Sequence, residues 1–118
     1  MAFDPYQSDR ISLVLRDKGV PFSSKKMMGG LCFLVDDKML VGLDQDKKTH
    51  ENRLMVRVGP DAYPQAMEKA GCRPMDFTGK PMNGYVFVYP EGYDLDEQLE
   101  EWIELALTFN PLAKKSKK

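Results

Sequence analysis

The sequence predicts an α+β domain of two layers, a mainly antiparallel sheet with helices on one face. Three observations predict it. Apolar residues at helical spacing mark capped segments at both ends of the chain, period-two apolar runs crowd its middle, and short polar turns join those runs. With 118 residues, 42% hydrophobic and 30% charged, the chain has the size and composition of one globular domain. The expected order is α-β(3–4)-α-β2-α.

The first helix is expected over residues 5–18. Asp4 stands before Pro5 as an N-cap followed by proline in the first turn, Ile11, Val14, Leu15 and Lys18 fall at helical spacing, and Lys18-Gly19 supplies a basic end and a stop. Ser23 to Met28 reads as a short edge strand ending at Gly29-Gly30. Cys32–Val35 and Met39–Leu43 form a hairpin around Asp36-Asp37-Lys38. A polar stretch, Asp44 to Asn52, leads to Leu54–Val58, where Leu54, Val56 and Val58 share one face and Met55 and Arg57 the other.

Gly59-Pro60-Asp61 opens a second helix that Gly71 closes. Its apolar positions are Ala62, Tyr63, Ala66, Met67 and Ala70, with Pro64 tolerated in the first turn. Two strands follow, Arg73–Phe77 and Tyr85–Tyr89, separated by the turn-rich stretch Thr78 to Gly84. In the last helix Leu95, Leu99, Trp102, Ile103 and Ala106 make an apolar stripe. Asp94 and Glu97 are spaced as a capping box, and Asn110-Pro111 ends the element. Residues 1–111 are expected to form the domain and 112–118 a Lys-rich flexible tail.

Composition narrows the function classes. No run of 18 apolar residues exists to span a membrane, and the N-terminus lacks the basic and apolar regions of a secretion signal. Cys32 and Cys72 have neither metal-ligand spacing nor the density of a disulfide scaffold, so a reduced cytoplasm is expected. The net charge of −1 lacks the basic excess of a domain that grips nucleic acid alone. Charge is unevenly placed: residues 91–104 carry seven acids and no base, and residues 112–118 carry four lysines and no acid.

Four segments, in order, resemble the N-terminal domain of the TfoX/Sxy family of bacterial competence regulators. They are Lys25-Lys26-Met27-Met28-Gly29-Gly30-Leu31-Cys32-Phe33; Leu54-Met55-Val56-Arg57-Val58-Gly59-Pro60-Asp61-Ala62-Tyr63; Arg73-Pro74-Met75-Asp76-Phe77-Thr78-Gly79-Lys80-Pro81-Met82, leading into Gly84-Tyr85-Val86-Phe87-Val88; and the Leu99–Leu107 helix with Trp102. The resemblance covers roughly residues 5–110. It implies a two-layer fold similar to type III secretion chaperones and a regulatory domain linked to competence or transcription. The C-terminal helical domain of full-length competence regulators is not matched, since the sequence ends at Lys118.

Individual residues add little chemistry. His50 is the only histidine, in a polar loop without the further ligands zinc needs. Neither cysteine has a neighbouring base; Cys32, in an apolar strand, reads as a buried inert thiol. Met28-Gly29-Gly30 lacks phosphate-loop and dinucleotide spacing, and reads first as a strand connection needing positive φ.

Arg57, mid-strand, is expected to be exposed or ion-paired, with Asp76 a candidate partner across the sheet. Tyr85, Phe87 and Tyr89 alternate opposite Val86 and Val88. Such a stripe packs under a helix, forms an interface or stacks bases. These residues, Met28, Gly29, Gly30, Arg57, Asp76, Tyr85, Phe87 and Tyr89, are the candidate partner or ligand contacts. No catalytic, metal or cofactor site is expected. A non-enzymatic interaction module is, with a protein as partner or a second copy as a homodimer. Direct nucleic-acid binding is the second reading and an enzyme the third.

Overall fold

Six strands hydrogen-bond into one sheet in the order β1-β2-β3-β4-β6-β5, every neighbouring pair antiparallel. The computed structural model describes residues 4–27, 30–46, 48–76 and 81–112. Its elements are α1 (Pro5–Asp17), β1 (Ser23–Met27), β2 (Gly30–Val35), β3 (Lys38–Gln45), β4 (Asn52–Arg57), α2 (Tyr63–Ala66), β5 (Cys72–Asp76), β6 (Pro81–Val88), α3 (Pro90–Tyr93) and α4 (Asp96–Phe109), with a 3-10 turn over Asn110–Leu112. The α+β class, the antiparallel sheet and the edge strand all match the sequence expectation.

Local chemistry explains the boundaries. The Asp4 carboxylate accepts from the Tyr6 N–H at 3.0 Å and caps α1. At the other end Gly19 takes φ +69° while its N–H and that of Val20 return to the Arg16 and Leu15 carbonyls, closing the helix as a glycine stop does. The β2–β3 turn is tighter than expected. Asp36 and Asp37, both at positive φ, make a two-residue turn, and Lys38 is already strand. Gln45 and Asn52 pair, so the two ends of the polar stretch extend the hairpin arms and the loop proper is confined to 46–51.

Three expectations change. The second helix is a single turn, because only Ala66 is buried and small residues at Ala62 and Ala70 give too little burial to hold a longer one. Strand β6 starts at Pro81, inside the stretch read as a turn, because its pairing with β5 reaches Asp76–Pro81. The cap of the last helix shifts by one residue. The Gln98 side chain accepts from the Leu95 N–H at 3.0 Å, and a separate turn, α3, occupies the residues before it. Leu95 therefore sits outside the stripe, 60% exposed.

All four helices contribute to one core against one face of the sheet. Ile11 and Leu15 of α1, Ala66 of α2, Tyr93 of α3 and Leu99, Trp102, Ile103 and Ala106 of α4 pack with Val41, Leu43, Leu54, Val56, Val86 and Val88. Each large apolar side chain buried there contributes about 2 kcal/mol. The polar atoms are matched: Trp102 donates Nε1–H to the Gly92 carbonyl at 3.0 Å, and the Tyr93 hydroxyl donates to the Asn52 carbonyl at 2.9 Å. Burial pushes the Tyr93 phenol up to about 12. Where the helix layer meets the β2–β3 hairpin, buried Lys38 donates to the Asn110 carbonyl at 3.1 Å, and the Asn110 amide donates to the Val35 carbonyl at 3.1 Å.

Candidate interaction face

The register aligns one row across the whole sheet: Lys25, Cys32, Gly42, Met55, Phe87 and Arg73 stand opposite one another in turn. Alternation then puts them on the face away from the helices, since Val41, Val56 and Val86 hold the intervening core positions. The helices pack against the opposite face, and Phe109 at the end of α4 reaches Arg57 at the end of β4. The face of the row carries its own small cluster, Phe87 and Tyr89 with Met55 and Tyr85 packed against them. The alternation of Tyr85, Phe87 and Tyr89 with Val86 and Val88 thus divides them between the two faces.

What covers these rings is arginine. The Arg53 guanidinium carbon lies 3.8 Å from the centroid of Phe87, Arg73 lies 4.6 Å from Tyr89, and Arg57 lies 5.4 Å from Tyr85 and 5.7 Å from Phe109. Planar, weakly hydrated guanidinium stacks on aromatic faces while its N–H groups stay available at the rim. Phe87 and Tyr89 are only 6% exposed.

One corner of the face is a closed polar network. Arg53 grips Asp44 with two bonds, Nε at 2.8 Å and Nη2 at 3.1 Å, and its Nη1 reaches the Tyr89 hydroxyl at 3.2 Å. That hydroxyl donates to Asp46 at 2.5 Å. Asp46 also accepts from the backbone N–H of Lys48 and Thr49, which folds the hairpin loop onto the network. The Tyr89 bond, then the loop amides, hold the Asp46 carboxyl down to about 2. Burial opposes the Arg53 charge, but Asp44 and Tyr89 outweigh it and raise its pKa. Burial, reinforced by Asp46, raises the Tyr89 phenol.

Of the residues singled out from sequence, Arg57, Tyr85, Phe87 and Tyr89 come together here. The backbone register sets Asp76 two strands from Arg57: β6 lies between β4 and β5, and Asp76 stands opposite Pro81 while Arg57 stands opposite Tyr85. The Asp76 side chain, Met28 and Gly29 lie outside the described residues. Gly30 is a strand residue without positive φ. It is glycine because a Cβ there would strike the Leu43 carbonyl oxygen, so the expected turn role is replaced by close backbone approach. Arg53, Asp44 and Asp46 were not singled out. Arg53 preceded the apolar run, though its parity with Met55 and Arg57 carries the signal.

Both thiols are free. Cys32 is buried in the row, and burial raises its pKa. Cys72 packs its sulfur 3.8 Å from that of Met67, and burial pushes its thiol up to about 11. Neither is a thiolate at neutral pH. His50 is exposed at φ +62° in the β3–β4 loop. No helix among the described residues is long and apolar enough to cross a membrane.

A model of the TfoX N-terminal domain matches residues 15–110 of the chain. No curated protein matches it.

Proposed function

The chain belongs to the TfoX N-terminal domain family, and from that premise we propose that it is a non-enzymatic interaction module in the control of competence or transcription. It works in the cytoplasm and receives a protein partner on the face of its sheet opposite the helices. The observation that carries this reading is the layer of Arg53, Arg57 and Arg73 stacked over Phe87, Tyr85 and Tyr89. Arginine and tyrosine are the residues enriched where proteins meet, because each offers a broad apolar plane with polar groups at its edge. The sheet edges favour docking on the face over addition of a strand. Edge strand β1 carries Lys25 and Lys26, and edge strand β5 carries Pro74, both devices that discourage pairing.

A photo-crosslinking residue placed at Arg73, and separately at exposed Glu101 on α4, tests this in the native host. A defined protein adduct from position 73 that disappears in an Arg57→Glu background is expected. Adducts from position 101 alone, or none from either, would overturn the reading.

A second reading, direct nucleic-acid binding, draws on the same face: Lys25 and Arg73 are exposed on it. It is the weaker one because Phe87 and Tyr89 are too covered to stack on bases and Asp44 and Asp46 neutralise Arg53. A gel-shift titration separates the two. Complexes that persist at about 150 mM salt and vanish in Arg73→Glu would favour nucleic acid, whereas binding that fades steeply with salt is electrostatic and unspecific.

A further inference from the structure

On the other side of the molecule, α1 and α4 enclose an open cleft of about 470 Å³. Tyr6, Leu13 and Val14 supply its apolar lining, and Asp9, Asp17, Asp96 and Glu100 its carboxylates, with Arg10 the one cation among the described lining residues. Helix α1 is two-sided. Ile11 and Leu15 enter the core, while Tyr6, Asp9, Leu13 and Asp17, spaced by three and four residues, run as a second stripe along the cleft. On that stripe Tyr6 is 66% and Leu13 57% exposed. Tyr6 and Leu13, both large and apolar, thus border the cleft in contact with water.

The charges say what kind of contact. Arg10 is occupied within the fold: it donates to the Tyr93 and Asp94 carbonyls at 3.0 and 3.2 Å and pairs with Asp96 at 3.1 Å. Glu100 is shared with Lys18 at 3.2 Å. Asp9 and Asp17, flanking Leu13 on the exposed side, make no ion pair with a described residue. An apolar strip bordered by two unspent carboxylates is complementary to an amphipathic segment with apolar residues on one side and lysine or arginine along the rim.

We propose that the α1–α4 cleft is a docking site for a basic amphipathic helix of a partner protein. The incoming helix lays its apolar side over Leu13 and Tyr6, and its cations meet Asp9 and Asp17. The surface is independent of the arginine-covered sheet face and can be occupied together with it, so the module can bridge two partners.

The test uses the full chain and a fluorescein-labelled helical peptide of about 18 residues. Leucines stand at i, i+3, i+4 and i+7, lysines at the rim, and a scrambled peptide of the same composition is the control. In anisotropy titrations at about 150 mM salt, the amphipathic peptide is expected to bind at least about tenfold tighter than the scrambled one. Leu13→Asp, and separately Asp9→Lys with Asp17→Lys, should each remove that advantage, while Arg73→Glu should leave it unchanged. Thermal melts matching the unaltered chain establish that these exposed substitutions do not unfold it. Equal affinity for both peptides, or undiminished binding by Leu13→Asp, would overturn the proposal. So would sedimentation showing a dimer that Leu13→Asp dissolves, which would assign the cleft to a second copy.

Discussion

The Tyr89 hydroxyl is bonded on both sides, donating to Asp46 and accepting from Arg53. Tyr89→Phe keeps the ring under Arg73 and deletes only those bonds. It is expected to lower stability by about 1 kcal/mol, read as a fall of a few degrees in Tm. The same bond sets a pH dependence. The Asp46 carboxyl is depressed from an ordinary 3.8 to about 2 in the folded chain, so its stabilising effect is complete above the ordinary value and is lost as pH falls from about 4 to about 2. Melts across that window should therefore drop more steeply for the unaltered protein than for Asp46→Asn; parallel curves would contradict this. At this scale the sequence was only half legible. Strand parity put Tyr85, Phe87 and Tyr89 on one face and Arg57 with Met55 on one face, but not the stacking of Arg57 on Tyr85. The Arg53–Asp44 grip depends on cross-strand register, which follows from where the hairpin turns and not from any local pattern.

Hairpin β2–β3 turns through Asp36 and Asp37, both held at positive φ where aspartate is strained and asparagine-glycine is preferred. Replacing the pair by Asn-Gly is expected to raise stability by about 0.5–1 kcal/mol, measured by denaturant midpoint, since the Asp36–Lys38 pair it deletes is long, at 3.5 Å, with an exposed carboxylate, and buried Lys38 keeps its bond to the Asn110 carbonyl. Gly30→Ala should act oppositely on β2. The new methyl meets the Leu43 carbonyl, which is backbone and cannot swing aside; a loss of about 1–3 kcal/mol is expected by the same assay. Elements with a strong period were readable in advance, as α1, α4 and the face alternation of β4 and β6 show. Element lengths were not. The single turn of α2 and the early start of β6 are decided by what packs on them, and turn-forming residues such as Pro81 and Asn83 are compatible with strand once β5 pairs beside them.

Across the whole molecule, charge and burial are segregated by layer. The exposed side of α4 carries Glu97, Glu100, Glu101 and Glu104, while Arg53, Arg57 and Arg73 lie on the far face of the sheet. Between them Trp102 is 1% exposed and hydrogen-bonded to Gly92. Trp102→Ala should cost about 3–5 kcal/mol, a large part of the roughly 5–15 kcal/mol that stabilises a domain this size, and lower Tm sharply. A variant that still melted sharply near the original Tm would show the core to be organised otherwise. Placing Leu99, Trp102, Ile103 and Ala106 in the last long helix also fixes a timetable. During synthesis all six strands leave the ribosome before the helix that seals their apolar side. A nascent chain halted near Val88 would display Val41, Leu43, Leu54 and Val56 with part of their cover missing. Until α4 is complete those side chains lack the apolar cover it supplies, which is the state in which a chain is most prone to aggregate.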